Sequence, residues 1–270
     1  MLVCRRVRAT HSSLVFEVEH PGGPRIIKML RNRNDSAGLR RYERERQVLS
    51  ILADRIPTGV IPRFVAGDVG VLVTDKLSGR RVHDLLWWPT SERISAVRKA
   101  GESARLLAAT RVDDVTLPPY IPTALDGDLL TAKDLLPTWL ISEAKAAVRE
   151  GNHSTFIHGD FVPTNWLWDG HRVGILDFEW ARMGSPEEDI AMAWARLRLA
   201  GIERGLVSDR LASEVLRYWR PSPSVHWRAY ALVRTVAIIV NRMRARPDPI
   251  RRIEMRLLRH SLDRVSANLK

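Results

Sequence analysis

The strongest constraint on this chain is the stretch Phe156 to Ile190, which reads FIHGDFVPTNWLWDGHRVGILDFEWARMGSPEEDI. At its centre Asp169-Gly170 is a hairpin signal, flanked by Trp166-Leu167-Trp168 before it and Arg172-Val173-Gly174-Ile175-Leu176 after it. A hairpin closed there returns the chain on itself and sets Asp177 beside Asn165. His158-Gly159-Asp160 lies just upstream, with Asn165 five positions after the aspartate. Asp160, Asn165 and Asp177 therefore converge on one place, and the rest of the chain is read as support for it.

At 270 residues the chain can bury a sizeable core, as one large lobe or two small ones around a cleft. Its 45% apolar and 27% charged residues are those of an ordinary globular protein. The start, Met1-Leu2-Val3-Cys4-Arg5-Arg6, lacks the apolar run of a secretory signal, and no stretch is long and apolar enough to span a bilayer, so the expected location is cytoplasmic with no membrane partner. A single cysteine, Cys4, has no internal disulfide partner and fits a reducing compartment. The net charge of +12 raises the question of a polyanion partner. Most of it sits between Arg196 and Lys270, with roughly 17 basic against 6 acidic residues. The arginines are spread along amphipathic patterns, which reads as solvated helix faces; a patch for an anionic substrate or nucleic acid is the alternative.

Taken in order, Leu2–Arg8, Leu14–Glu19 and Arg25–Leu30 read as three antiparallel strands, with Pro21-Gly22-Gly23-Pro24 as the second turn. The first connection, Thr10-His11-Ser12-Ser13, has no glycine; it is either a plain polar loop or one whose Ser12 and Ser13 contact phosphate. Lys28 lies inside the third strand, where an inward lysine requires a partner. The next helix, Asp35 to Asp54, offers Glu45 on its apolar stripe of Tyr42, Val48, Leu49 and Leu52, with Glu43 as the competitor. Two more strands fall in 63–69 and 70–77, and a change to helical periodicity marks a hinge at about 74–79. The expected division is residues 1–77, a five-stranded antiparallel sheet with one helix, and 78–270, a mainly helical lobe. Helices are expected over Asp84–Thr110 and Leu135–Glu150 with an irregular Pro118–Pro122 loop between them, then from Ser185-Pro186 towards Leu199, from Ser222-Pro223 through Val240, and over Ile250–Val265. Ser185-Pro186-Glu187-Glu188 reads as a capping box, putting Asp189 in a first helical turn. Trp87-Trp88 and the stripe His226, Trp227, Tyr230 are read as packing, with ligand contact as the alternative.

Phosphoryl transfer to an alcohol needs a carboxylate to orient and deprotonate the hydroxyl, and hard oxygen donors to hold Mg²⁺ against the phosphates. Asp160 fits the first role and Asn165 with Asp177 the second. His158 is read as a histidine bracing its own loop. Glu179 is either polar support or a group reaching a metal-bound water.

This ordered set closely resembles the aminoglycoside phosphotransferase and choline kinase group of protein-kinase-like small-molecule kinases, over roughly residues 10–195. The matching residues are His158-Gly159-Asp160, Asn165, Leu176-Asp177-Phe178-Glu179 and Gly184-Ser185-Pro186 with Asp189, together with Lys28 and Glu45. The resemblance implies an α+β, bilobal fold with ATP as donor and Mg²⁺ as cofactor. It also implies Lys28 paired with Glu45 at the phosphates, hinge groups around Thr74 and Lys76 at the adenine, and Asp189 bracing the catalytic loop. The expected partner is a small-molecule hydroxyl acceptor, an antibiotic or sugar-like compound first and an amino alcohol such as choline or homoserine second. The basic C-terminal quarter argues for a neutral or anionic acceptor. A non-catalytic nucleotide-binding module that uses this quarter to hold nucleic acid is the rival from another class.

Overall fold

The computed structural model describes residues 4–9, 12–87, 90–112, 117, 123–151, 153–199, 209–219, 221–244 and 246–269. Five antiparallel strands, β1 (Cys4–Ala9), β2 (Ser13–Val18), β3 (Arg25–Leu30), β4 (Phe64–Asp68) and β5 (Val71–Asp75), form one sheet in the order β1-β2-β3-β5-β4. Between β3 and β4 runs α1 (Ser36–Leu52), capped by the Asp35 carboxylate, which accepts from the Gly38 amide at 2.9 Å. Its buried face is Tyr42, Glu45, Val48, Leu49 and Leu52. The stripe read from the sequence is thus the packed one, and Glu45 sits in the middle of it.

The remainder is mainly helical: α2 (Thr90–Ala109), α3 (Thr123–Ala132), α4 (Thr138–Glu150), α5 (Pro186–Leu199), α6 (Asp209–Arg217), α7 (Val225–Arg244) and α8 (Asp248–Ala267). Helix α7 is buried on most of its circumference, by Trp227, Tyr230, Leu232, Val233, Val236 and Ile239 among others, and packs against α3, α4 and α5. An all-round apolar helix of this kind is a core helix. No helix among the described residues is long and apolar enough to cross a membrane.

Short strands cradle the chemical stretch. The hairpin about Asp169-Gly170 is β8 (Trp166–Trp168) and β9 (Val173–Ile175), and β6 (Arg80–Arg81) adds to its edge in the order β6-β8-β9. A second pair joins β7 (Thr155–Ile157) to β10 (Arg182–Gly184), with Ile157 opposite Arg182.

Several expected boundaries move. The helix expected over Asp84–Thr110 is two elements, a 3₁₀ turn at Val82–Trp87 and α2. Helix α4 begins at Thr138 rather than Leu135, because Pro137 fixes the position before it. Helix α3 was not anticipated: Leu125, Leu129 and Ala132 face the core, but Gly127 and two aspartates blur the pattern. Helix α7 starts at Val225, where Ser224 and not Ser222 supplies the cap. The capping box at Ser185 does not form, since the Glu188 carboxylate is taken by Arg182 and Tyr230. The sequence readings at Thr10-His11, Trp88 and Pro118–Pro122 lie outside the described residues.

Candidate active site

Lys28 holds the centre of the site. Strand β3 places it opposite Val15 and Leu72 on its neighbouring strands. Its ammonium donates to Asp177 Oδ1 at 2.6 Å, to Glu45 Oε2 at 2.8 Å and to Glu179 Oε2 at 3.3 Å, and lies 5.3 Å from the Tyr42 ring centre. Glu45 is 4% exposed and its second oxygen accepts from the Phe178 amide at 3.3 Å, so one side chain ties α1 to both β3 and the segment after β9. Glu43, the competing partner, instead meets Arg46 and Gln47 on the outer face of α1.

The charges are mutually dependent. Burial works against the Lys28 ammonium, yet Glu45, Asp177 and Glu179 together raise it well above the ordinary lysine range. Desolvation also works against the Asp177 carboxylate, and Lys28 outweighs it and leaves Asp177 below its usual value. For Glu45, burial wins and pushes the carboxyl up to about 7 despite the lysine. An ammonium in contact with three acids is the local counterion for all of them.

The loop after β7 is fixed from three sides. His158 is fully buried; its Nε2 bonds the Leu176 carbonyl at 2.9 Å and its Nδ1 accepts from the Asp160 amide at 3.2 Å, which sets the tautomer with the proton on Nε2. The Asp189 carboxylate accepts from the amides of His158 at 2.7 Å and Gly159 at 2.9 Å. Desolvation pushes Asp189 up to about 6, against the lowering effect of His158 and of these amides. Gly159 has φ +78°, and a Cβ there would stand 2.2 Å from the Trp180 carbonyl, so only glycine allows this approach.

Asp160 and Asn165 meet directly. The Asn165 amide nitrogen donates to Asp160 Oδ2 at 2.9 Å and to the Asp160 carbonyl at 3.0 Å, leaving its Oδ1 as the free donor atom for a cation. Asp177 follows β9 with φ 70° and ψ 68°, the left-handed region, before the 3₁₀ turn Phe178–Trp180. The carboxylate oxygens of Glu45, Asp177 and Glu179 lie within 4.8 Å of one another. These are hard oxygen donors, and the Asn165 amide oxygen is of the same kind, the chemistry Mg²⁺ requires.

Other expected residues are placed less directly. The Ser13 hydroxyl is buried and accepts from Tyr42, while the Ser12 carbonyl accepts from the Arg31 amide. Thr74 is buried in β5, and Lys76 turns its ammonium to Glu17 while its amide bonds the Pro24 carbonyl. Trp227 and Tyr230 are core residues, and His226 contacts Glu143 at 2.5 Å. Tyr42, which touches both Lys28 and Ser13, was legible only as a stripe residue one turn before Glu45. Arg44, which donates to the Glu179 carbonyl at 3.2 Å, gave no signal.

The sheet with its one helix, the helical remainder and the Lys28–Asp177 junction between them define a bilobal, protein-kinase-like small-molecule phosphotransferase. A sequence model of the phosphotransferase enzyme family, APH, matches residues 3–232, and the chain belongs to that family. No curated protein sequence matches the chain. Among solved structures it is similar to the GDP complex of wild-type aminoglycoside 2'-phosphotransferase-IIIa, with 18% identity, 97% of this chain and 93% of that one covered, and a TM-score of 0.67. It is similar to aminoglycoside-3'-phosphotransferase of type VIII, with 20% identity, 87% and 93% covered, and a TM-score of 0.64. The streptomycin-ATP-APH(2")-IIa ternary complex matches with 16% identity over 89% and 87% of the chains, with a TM-score of 0.61. At these identities the likeness establishes the fold.

Proposed function

We propose that the protein transfers the γ-phosphoryl group of ATP to a hydroxyl of a small molecule in an Mg²⁺-dependent reaction, in a cleft between residues 1–77 and 78–270 with a hinge at about 74–79. The observation that carries this reading is the single lysine ammonium joining Glu45 and Asp177, with Asp160 and Asn165 bonded to each other on the adjoining loop. Lys28, held by Glu45, receives the α- and β-phosphates. The adenine edge meets backbone groups near Thr74 and Lys76, and Ser12, just before β2, and Ser13 at its start are offered to the phosphates. Asp160 accepts the proton of the acceptor hydroxyl as that oxygen bonds to the γ-phosphorus and the bond to the bridging oxygen breaks. Asn165 Oδ1 and Asp177 would hold the divalent cation, which supplies neutralisation of phosphate charge. Glu179 steadies Lys28 from the third side.

An antibiotic or sugar-like alcohol is the favoured acceptor. An amino alcohol is the second choice, and the basic C-terminal quarter disfavours a polycation. Asp160→Asn should abolish ATP consumption on any acceptor from a panel of aminoglycosides, nucleosides, sugars and amino alcohols, with an unchanged circular dichroism spectrum. Full turnover by that variant would end this assignment of the base.

A further inference from the structure

Helix α1 meets the turn after Asp177 at three consecutive residues. Glu45 accepts from the Phe178 amide at 3.3 Å. Arg44, the residue before it, donates to the Glu179 carbonyl at 3.2 Å. Arg41, three residues earlier, sets its guanidinium 5.7 Å from the Trp180 ring centre and stands 3.6 Å from Asp35, which caps the helix. Adjacent side chains of one helix therefore hold an N–H and a C=O of one short turn in opposite senses, and a third covers the residue that follows.

Arg44 is half-buried, yet among the described residues it makes no ion pair, and the Glu179 carbonyl is its hydrogen-bond partner. Its neighbours on the outer face, Glu43 and Arg46, pair with each other. A guanidinium withdrawn from water onto a single peptide oxygen acts on the backbone conformation there. The conformation that requires support is that of Asp177. Its φ of 70° and ψ of 68° put a residue with a side chain in the left-handed region, and among the described non-glycine residues it alone has a positive φ. Such a residue persists where the structure on both sides determines it. On the N-terminal side Ile175 and Leu176 give their amides to the Val60 and Asn165 carbonyls, at 2.7 and 2.9 Å. On the C-terminal side the 3₁₀ turn has no side-chain cap, and its anchors are Lys28 on the Glu179 carboxylate and the three residues of α1.

We propose that Arg44 is a positioning residue for the divalent-cation site. By holding the Glu179 carbonyl, with Arg41 against Trp180, it keeps Asp177 in the left-handed conformation from which its carboxylate meets those of Glu45 and Glu179. This rests on the Mg²⁺-dependent reading given above. The effect reaches the site through one turn of backbone, not through contact with the reacting atoms.

The variants are Arg44→Gln, Arg44→Lys and, on the outer face of the same helix, Arg46→Gln. Binding of Mn²⁺ to the protein with ATP is followed by electron paramagnetic resonance. Amide exchange over residues 178–181 is followed by mass spectrometry without nucleotide, and thermal midpoints are recorded. Arg44→Gln is expected to weaken Mn²⁺ about tenfold, the scale on which groups behind a metal's ligands act. Its amides at 178–181 exchange faster than in the wild type, while α1 and the five-stranded sheet keep wild-type protection. Arg46→Gln, which loses only a surface pair, stays within about twofold of wild type in both measurements. Should Arg44→Gln fail to fold, Arg44→Lys carries the same comparison. Wild-type Mn²⁺ affinity or wild-type exchange at 178–181 in the Arg44 variant overturns the proposal. Faster exchange spread over α1 and the sheet overturns it too, as a loosened lobe, and so does an equal loss in Arg46→Gln, as an effect of helix charge. If the wild type binds Mn²⁺ with ATP but phosphorylates no acceptor, the phosphotransfer reading falls while these two measurements still decide the role of Arg44. If it binds no Mn²⁺, the cation reading and this proposal fall together.

Discussion

One carboxylate, that of Asp189, satisfies two backbone amides of the loop that presents Asp160. Burial raises its carboxyl above the usual aspartate range to about 6, so the folded protein holds this proton more tightly than the unfolded chain does. The stability Asp189 contributes by this linkage is fully present below the unfolded value and is lost as pH rises through about 6. The wild-type thermal midpoint should therefore fall, relative to that of Asp189→Asn, between about pH 4 and pH 6. A parallel pH dependence in the two proteins would contradict the linkage. Local spacing made Asp160, Asn165 and Asp177 readable, because one hairpin signal sets their mutual positions. Lys28 and Glu45 were readable because a lysine inside a strand and a glutamate on an apolar stripe each need a partner. Arg44 was not, since its partner is a backbone carbonyl 135 residues further along the chain.

Element by element, the boundaries that shifted are those where tertiary contacts compete with local rules. Ser185-Pro186-Glu187-Glu188 has the letters of a capping box, yet Arg182, Tyr230 and Arg234 surround the fully buried Glu188 and take its carboxylate for the junction of β10, α5 and α7. At α7 the two serines before the helix are equivalent by composition, and the structure chooses Ser224, whose hydroxyl accepts from the Trp227 amide at 3.4 Å. Ser224→Ala should cost about 1 kcal/mol in urea denaturation and Ser222→Ala less than half of that. Equal effects would return the cap to the earlier serine. The pairing of β7 with β10 left no trace in the sequence reading, because strands of three residues carry too few alternations to register.

For the whole molecule, the family match ends at residue 232, inside α7, while the chain continues through α8. Helix α8 is not an appendage: Leu258, Leu262 and Val265 are buried in the core, and Arg246 reaches Glu254 at 3.7 Å. Ending the chain after Arg246 should lower the urea midpoint substantially, since each such side chain stabilises by about 1.5–3 kcal/mol when buried. An unchanged midpoint would show that α8 lies outside the cooperative unit. The arrangement around Gly159 has a consequence for control. The segment from Asp177 to Pro186 is short, pinned to β7 through β10, and pressed backbone to backbone on the loop of Asp160 at Trp180. It cannot swing away and return as a separate switch without dragging the Asp160 loop along. Under the function proposed above, the order of events would be set by the arrival of donor and acceptor and not by a switch in this segment.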